Sequence, residues 1–216
     1  MLIGYTELLG GFFFFHVLFV HLVCPGNGHI QFFFVPTAVR KLDEFIKSTH
    51  EYYNLKRGKL VFEDINFENI LQDTAALFRI AGKMDSIRFT SNVIQNDTFR
   101  SDEVSIKIIL NNLFSNAFKF QKRGSTDKWV DVNIEVKDDV AKIIVKDNGI
   151  GIHENHINNI FTMFYRATSE ESGYGFGLYN VKDALTKLNG TIEVASVVNE
   201  GTTFTVTIPC KSNGSN

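Results

Sequence analysis

Asn112, Asn116 and Lys119 stand at i, i+4 and i+7 within one segment, where Ile106, Ile109, Leu110, Leu113 and Ala117 recur at helical spacing. On a helix the three polar residues share a face beside the apolar stripe. Asparagine is a weak helix former, so two of them aligned on an amphipathic helix point to chemistry. An amide oxygen is a neutral, hard ligand of the kind Mg²⁺ takes alongside phosphates and water. Lysine meets a phosphate as a point charge. Taken alone, this helix reads equally well as one with a solvated polar face.

Three more segments carry residue types suited to a nucleotide. Asp147-Asn-Gly149-Ile-Gly151-Ile152 follows an apolar strand pattern. A carboxylate at a strand end can accept a hydrogen bond from the exocyclic amine of adenine, and the glycines allow tight turning and close approach. An ordinary Asp-Asn-Gly turn is the alternative. Ile160-Phe161-Thr-Met-Phe164-Tyr165-Arg166 would pack a mobile loop and bring Arg166 toward a phosphate, although clustered aromatics more often belong to a core. Gly173-Tyr-Gly175-Phe-Gly177-Leu178 opens an expected helix, where backbone N–H groups bind phosphate. This last loop lacks the Gly-Lys-Ser/Thr ending of a P-loop and the strand and downstream acid of a Rossmann fingerprint.

The elements that must position these segments are legible from periodicity. Leu60–Phe62 and Ser86–Ile94 read as strands. Asn66 caps a helix reaching Ala81, with Ile70, Leu71, Ala75, Leu77 and Phe78 as its apolar side. Ser101 or Asp102 opens the asparagine-bearing helix, which runs to about Gln121. Val130–Val136 and Val140–Val145 alternate as an antiparallel pair joined at Asp138-Asp139, and Thr191–Val197 with Thr202–Ile208 forms a closing hairpin. Helices gathered on one face of a mixed sheet give an α/β fold, a two-layer α/β sandwich.

In order, NNLFSNAFKF, DNGIGI, FTMF, GYGFGL and GTTF (Gly201–Phe204) resemble the N, G1, F and G2 boxes of the histidine-kinase ATP-binding domain, over roughly Lys59 to Pro209. The resemblance implies the Bergerat (GHKL) fold shared with gyrase, Hsp90 and MutL relatives. It implies a protein histidine kinase acting with ATP and Mg²⁺. By position, Asn116 resembles the Mg²⁺-coordinating asparagine, Asn112 and Lys119 the catalytic and phosphate-side residues, and Phe120 an aromatic beside the nucleotide. Asp147 resembles the adenine-reading aspartate, with Gly149, Gly151 and Ile152 shaping its pocket. Phe161 and Phe164 match the F box and Arg166 a basic residue after it; Gly173, Gly175, Gly177 and Leu178 match the phosphate lid; Thr203 adds a hydroxyl near the base. The ATPase relatives place a water-activating glutamate where this chain has Asn112, which implies transfer to a side chain with little hydrolysis, since an amide has no usable proton affinity near neutral pH.

The N-terminal part departs from that pattern. Met1–Gly10 resembles the later part of the family's first dimerisation helix and 39–57 its second, so residues 1–58 read as a partial, disrupted helical dimerisation region before the catalytic domain at 59–216. The phosphoacceptor histidine is expected before Met1, so transfer would proceed in trans to a histidine-bearing dimerisation domain, a homodimer being one form of that pairing. A response regulator receiver domain is the other partner implied. His50-Glu51 mimics the acceptor pair but falls near the end of the second helix. A degenerate module that binds nucleotide or a response regulator without transferring phosphate is the competing reading.

Composition bounds the rest. A net charge of −2 with 21% charged residues gives no reason to expect nucleic acid or an anionic membrane surface as a partner. The two cysteines form no metal or redox spacing, which suits a reducing, cytoplasmic setting. The Phe-rich segment 11–36 holds an apolar run, Phe12–Cys24, interrupted by His16 and His21 and ended by Pro25-Gly26. A membrane span needs about 20 apolar residues, so residues 12–34 are read as a segment foreign to this architecture in preference to a membrane anchor.

Overall fold

Val130, Val132, Ile134 and Val136 are buried and alternate with Asp131, Asn133 and Glu135. This period of two lays one apolar face of a strand on the core and leaves the other open. The computed structural model describes residues 20–22, 31–33, 46, 58–167 and 174–211. The chain divides into two units, Met1–Asp43 and Glu44–Asn216. In the first, β1 (Val20–Leu22) and β2 (Gln31–Phe33) pair antiparallel, with Val20 opposite Phe33. The helix expected at 39–57 and the segment Met1–Gly10 lie outside the described residues, except that Ile46 is helical and exposed.

The second unit runs β3 (Phe62–Asp64), α1 (Phe67–Ile80), β4 (Arg88–Gln95), β5 (Arg100–Asp102), α2 (Glu103–Lys119), β6 (Trp129–Lys137), β7 (Val140–Asp147), α3 (Glu154–Ile157), α4 (Gly177–Leu188), β8 (Thr191–Val197) and β9 (Gly201–Pro209). Five strands form one sheet in the order β4-β6-β7-β9-β8; β4 and β6 are parallel and the other pairs antiparallel. This is the two-layer mixed-sheet sandwich expected from the sequence. Asp138 and Asp139 both take positive φ, 52° and 58°, as a two-residue hairpin turn between β6 and β7 requires.

The helices cover the apolar face. Ile106, Ile109, Leu110, Leu113 and Ala117 of α2 are buried, as their spacing predicts. Phe78 of α1, Phe89 of β4 and Phe114 and Phe118 of α2 pack their rings at centroid distances of 5.3–6.1 Å. Each such side chain contributes roughly 1.5–3 kcal/mol when fully buried. Asn66 caps α1 through the Asn69 N–H, and Asp102 caps α2 through the Ser105 N–H. Ser101, the other candidate cap, belongs to β5.

Two expectations shift. The strand read at Leu60–Phe62 lies at Phe62–Asp64 and pairs with β5 in a separate ribbon. Val61, the apolar centre of the expected strand, is 64% exposed, while its neighbours Leu60 and Phe62 pack against the core and ladder pairing with Arg100–Asp102 sets the strand. Leu77, placed on the apolar side of α1, is 62% exposed, and Thr74 is buried instead. The Asp102 carboxylate is 5% exposed and accepts from both Ser105 N–H (2.8 Å) and Val61 N–H (2.9 Å), so it joins the start of α2 to the chain entering β3. Asp102→Ala is expected to lower stability by about 2 kcal/mol, with Asp102→Asn losing less, as read from urea unfolding midpoints.

Candidate functional site

Asp147 ends β7 and is 9% exposed. Its carboxylate accepts the Gly149 N–H at 2.8 Å and the Thr202 backbone N–H. Burial pushes its pKa up to about 6, against the opposing pull of those two N–H groups and the positive charge of Lys122. The turn behind it is held on both sides. Ile150 N–H donates to Phe120 O at the end of α2, and Asn199 N–H of the β8–β9 turn donates to Ile150 O. At Gly149 a Cβ would lie 2.3 Å from Phe120 O. At Gly151, where φ is +70°, it would lie 2.1 Å from Val197 O. Both positions therefore demand glycine, one for close approach and the other for conformation as well.

A cavity of about 870 Å³ opens beside this turn, within the range of small-molecule sites. Asn112, Asn116 and Lys119 line it from α2, half-buried, with Asn111 and Ser115 on the adjoining strip of the same helix. Asn112 Nδ2 donates to Ile108 O, which aligns its amide along the helix. Lys119 Nζ lies 4.8 Å from the Phe120 ring centroid. Gly177 and Leu178 line the cavity from the start of α4, where Phe176 is the N-cap residue and supplies no side-chain cap. With no cap from the Phe176 side chain, the Gly177 and Leu178 N–H groups at that helix start suit an anion. A Cβ on Gly177 would lie 3.0 Å from Asn112 Oδ1, so the glycine loop and the asparagine face adjoin.

The phenylalanine segment ties into the glycine loop more than into the cavity. Phe161 packs against the core, and neither Phe161 nor Phe164 lines the cavity. Phe164 takes φ +66°, donates its N–H to Gly175 O at 3.1 Å and sets its ring 4.8 Å from that of Phe176. Arg166, Gly175, Ile152 and Phe120 line the cavity; Gly149 does not, its place being behind the turn. Gly173 lies outside the described residues.

Thr203 is corrected by the pleat. β9 pairs Thr202 with Asp147 and Thr203 with Lys146, so Thr202 and Phe204 face the cavity while Thr203 stands on the opposite face of the sheet. Sequence reasoning also missed Val198 and Asn199 of the β8–β9 turn, Ser115 and Asn111, and Tyr165, whose hydroxyl is 2.6 Å from His156 Nδ1. The helical spacing of Ser115 and Asn111 beside Asn112 and Asn116 was the available signal; no local pattern announces Val198 and Asn199. The cavity thus joins a buried acceptor to amides, a lysine and a helix start without a side-chain cap, a set of groups that fits a molecule with a hydrogen-bonding ring and a polyanionic tail.

Residues 101–212 match the family described as histidine kinase-, DNA gyrase B-, and HSP90-like ATPase. The probable C4-dicarboxylate sensor kinase of Bacillus subtilis (strain 168) is 39% identical over 111 residues, covering 51% of this chain and 21% of that protein. The autoinducer 2 sensor kinase/phosphatase LuxQ of Vibrio vulnificus (strain YJ016) is 31% identical over 198 residues, 88% of this chain and 22% of its own length. The chain spans about a fifth of the length of these curated relatives. Among solved structures, full-length ShkA in complex with AMPPNP superposes with a TM-score of 0.67 at 21% identity, over 83% of this chain and 39% of that one. The nucleotide-free catalytic domain of histidine kinase ThkA gives 0.59 at 22% identity, over 70% and 97%. At those identities the likeness is one of fold. Among the described residues no helix is long and apolar enough to cross a membrane.

The raised pKa of Asp147 makes a stability prediction. A carboxyl moved from 3.8 to about 6 binds its proton more tightly in the folded than in the unfolded chain, by on the order of 3 kcal/mol. The native state then binds more protons, so this contribution is full below pH 3.8 and is lost as pH rises through about 6. Asp147→Asn, which cannot ionise, is expected to gain stability relative to wild type between pH 4.5 and 7.5, measured by urea unfolding at both values. An unchanged difference would mean that Asp147 is not buried as described.

Proposed function

Because this chain belongs to the histidine kinase-, DNA gyrase B- and HSP90-like ATPase family and carries the ATP-binding domain of a sensor histidine kinase, we propose that its cavity binds Mg–ATP and presents the γ-phosphate to a histidine. The observation that carries this reading is the union, in one cavity, of the buried Asp147 acceptor with the Asn112–Asn116–Lys119 face and the uncapped start of α4. Asp147 accepts from the adenine amine. Lys119, Asn112, Arg166 and the N–H groups of Gly177 and Leu178 hold the phosphates.

The donor set also fits a metal carried in by the nucleotide. Among the described residues no three His, Cys, Asp or Glu side chains converge as a metal-ligand set. Mg²⁺ needs few protein ligands when phosphates and water complete its shell, and the Asn116 amide oxygen would serve as one. Bound there, the metal would supply neutralisation of phosphate charge. The residues do the rest by positioning. An imidazole nitrogen attacks the γ-phosphorus, the N–P bond forms, the O–P bond to ADP breaks, and ADP leaves with the electron pair. Asn112 has no carboxylate with which to deprotonate water, so transfer to a side chain is favoured over hydrolysis.

A histidine-bearing dimerisation domain is the acceptor, and a response regulator receiver domain is the next phosphate acceptor. Calorimetric titration with a non-hydrolysable ATP analogue is expected to show binding that weakens at least about tenfold in Asp147→Ala and loses its Mg²⁺ dependence in Asn116→Ala. No binding by wild type, or unchanged binding by Asp147→Ala, overturns the site. With labelled ATP and a separately supplied dimerisation domain, label is expected on that domain. Rapid steady hydrolysis that vanishes in Asn112→Ala would count against phosphotransfer as the activity.

A further inference from the structure

Strand register places three polar side chains in one row at the cavity end of the sheet: Ser196 on β8 opposite Thr202 on β9, and Thr202 opposite Asp147 on β7. The Ser196 hydroxyl has three neighbours. Ile152 N–H, of the turn that follows Asp147, donates to Oγ at 2.8 Å; Gly201 O lies at 2.9 Å; and Thr202 Oγ1 lies at 2.9 Å. A serine hydroxyl owns one proton and two acceptor positions. The backbone N–H can only donate and the carbonyl can only accept, so the serine proton goes to Gly201 O and one lone pair is filled by Ile152. The remaining lone pair must receive the Thr202 proton. Thr202 lines the cavity, and with its proton committed to Ser196, its hydroxyl retains only acceptor capacity.

We propose that Ser196 is a specificity-determining residue that sets the hydrogen-bond polarity of the cavity wall: by consuming the Thr202 proton it leaves Thr202 and Asp147 as adjacent acceptors, which select a base edge carrying an amine and reject one carrying a carbonyl. Ser196 need not touch the ligand. It acts through Thr202, which lines the cavity. The structure thereby discriminates adenine from a 6-oxopurine by placing two lone-pair-bearing groups where the oxo group would have to lie. A site built to pair with one polarity of group rejects the opposite polarity because buried polar atoms are left unmatched.

This inference rests on the adenine-site reading above, and the test separates the two. Binding of ATP and inosine triphosphate, each with Mg²⁺, is measured by calorimetric titration on the full 216-residue chain, for wild type, Ser196→Ala, Ser196→Thr and Thr202→Val. Wild type is expected to prefer ATP. Ser196→Ala frees the Thr202 proton to face the cavity, so the preference should narrow by about tenfold, through weaker ATP binding without a matching loss for inosine triphosphate. Ser196→Thr keeps the hydroxyl and should keep the preference. Thr202→Val removes the polarised group without touching Ser196 and should also narrow the preference, and adding Ser196→Ala to it should change the ratio no further. Parallel weakening of both nucleotides in Ser196→Ala, or an unchanged ratio in either Ser196→Ala or Thr202→Val, overturns the proposal while the adenine site stands. Failure of wild type to bind either nucleotide overturns the site itself, and the proposal with it.

Discussion

The turn from Asp147 to Gly151 is clamped between two stretches of backbone that leave no volume for a β-carbon at Gly149 or Gly151. On one side the end of α2 offers Phe120 O to Ile150 N–H, and Gly149 passes so close that a Cβ would sit inside the carbonyl. On the other, the β8–β9 turn returns Asn199 N–H to Ile150 O, with Val197 O against Gly151. Backbone contacts of this kind fix a loop more tightly than side-chain packing, because they involve no rotamer freedom. The carboxylate of Asp147, the asparagine face of α2 and the β8–β9 turn therefore hold their positions relative to one another through one short segment.

That constraint explains why a charge-bearing group tolerates burial. Asp147 meets two backbone N–H groups, which offset part of the desolvation penalty but leave the carboxyl less acidic than usual. The residual acceptor capacity is what a donor-bearing ligand can satisfy. Other groups lining the cavity have the reverse electrostatic character: Lys119 and the start of α4, whose partial positive charge no acidic residue in the first turn offsets. Phe164 and Phe176 bind the turn before Arg166 to the glycine loop, so the segment entering α4 and the phenylalanine motif form one joined wall.

Much of this was legible in the residues. The stripe on α2 told where the helix lies and which face looks away from the core, because 3.6-residue periodicity translates directly into burial. The alternation of β6 and β7 and the adjacent aspartates predicted the hairpin, whose two turn residues take positive φ. Asn66 and Asp102 announced their helices, since a side-chain cap is a local event. Less legible were elements whose identity depends on a distant partner. The short strand at Phe62–Asp64 exists because Arg100–Asp102 pairs with it, and exposed Val61 misled the reading by its apolar character.

Residue types at fixed spacing determined the order of elements, the two-layer class and the candidate groups Asn112, Asn116, Lys119 and Asp147, because those features arise from short-range geometry and solvent preference. Tertiary structure alone decided that Thr202 and not Thr203 meets the cavity, since which of two adjacent threonines points inward is set by cross-strand register with β7. It alone placed Ser196 beside Thr202 and Ile152, and Gly177 beside Asn112. The Ser196–Ile152 and Gly177–Asn112 juxtapositions join residues far apart in the chain, and only the assembly of the sheet and the packing of α2 and α4 on it bring them within hydrogen-bonding or van der Waals reach.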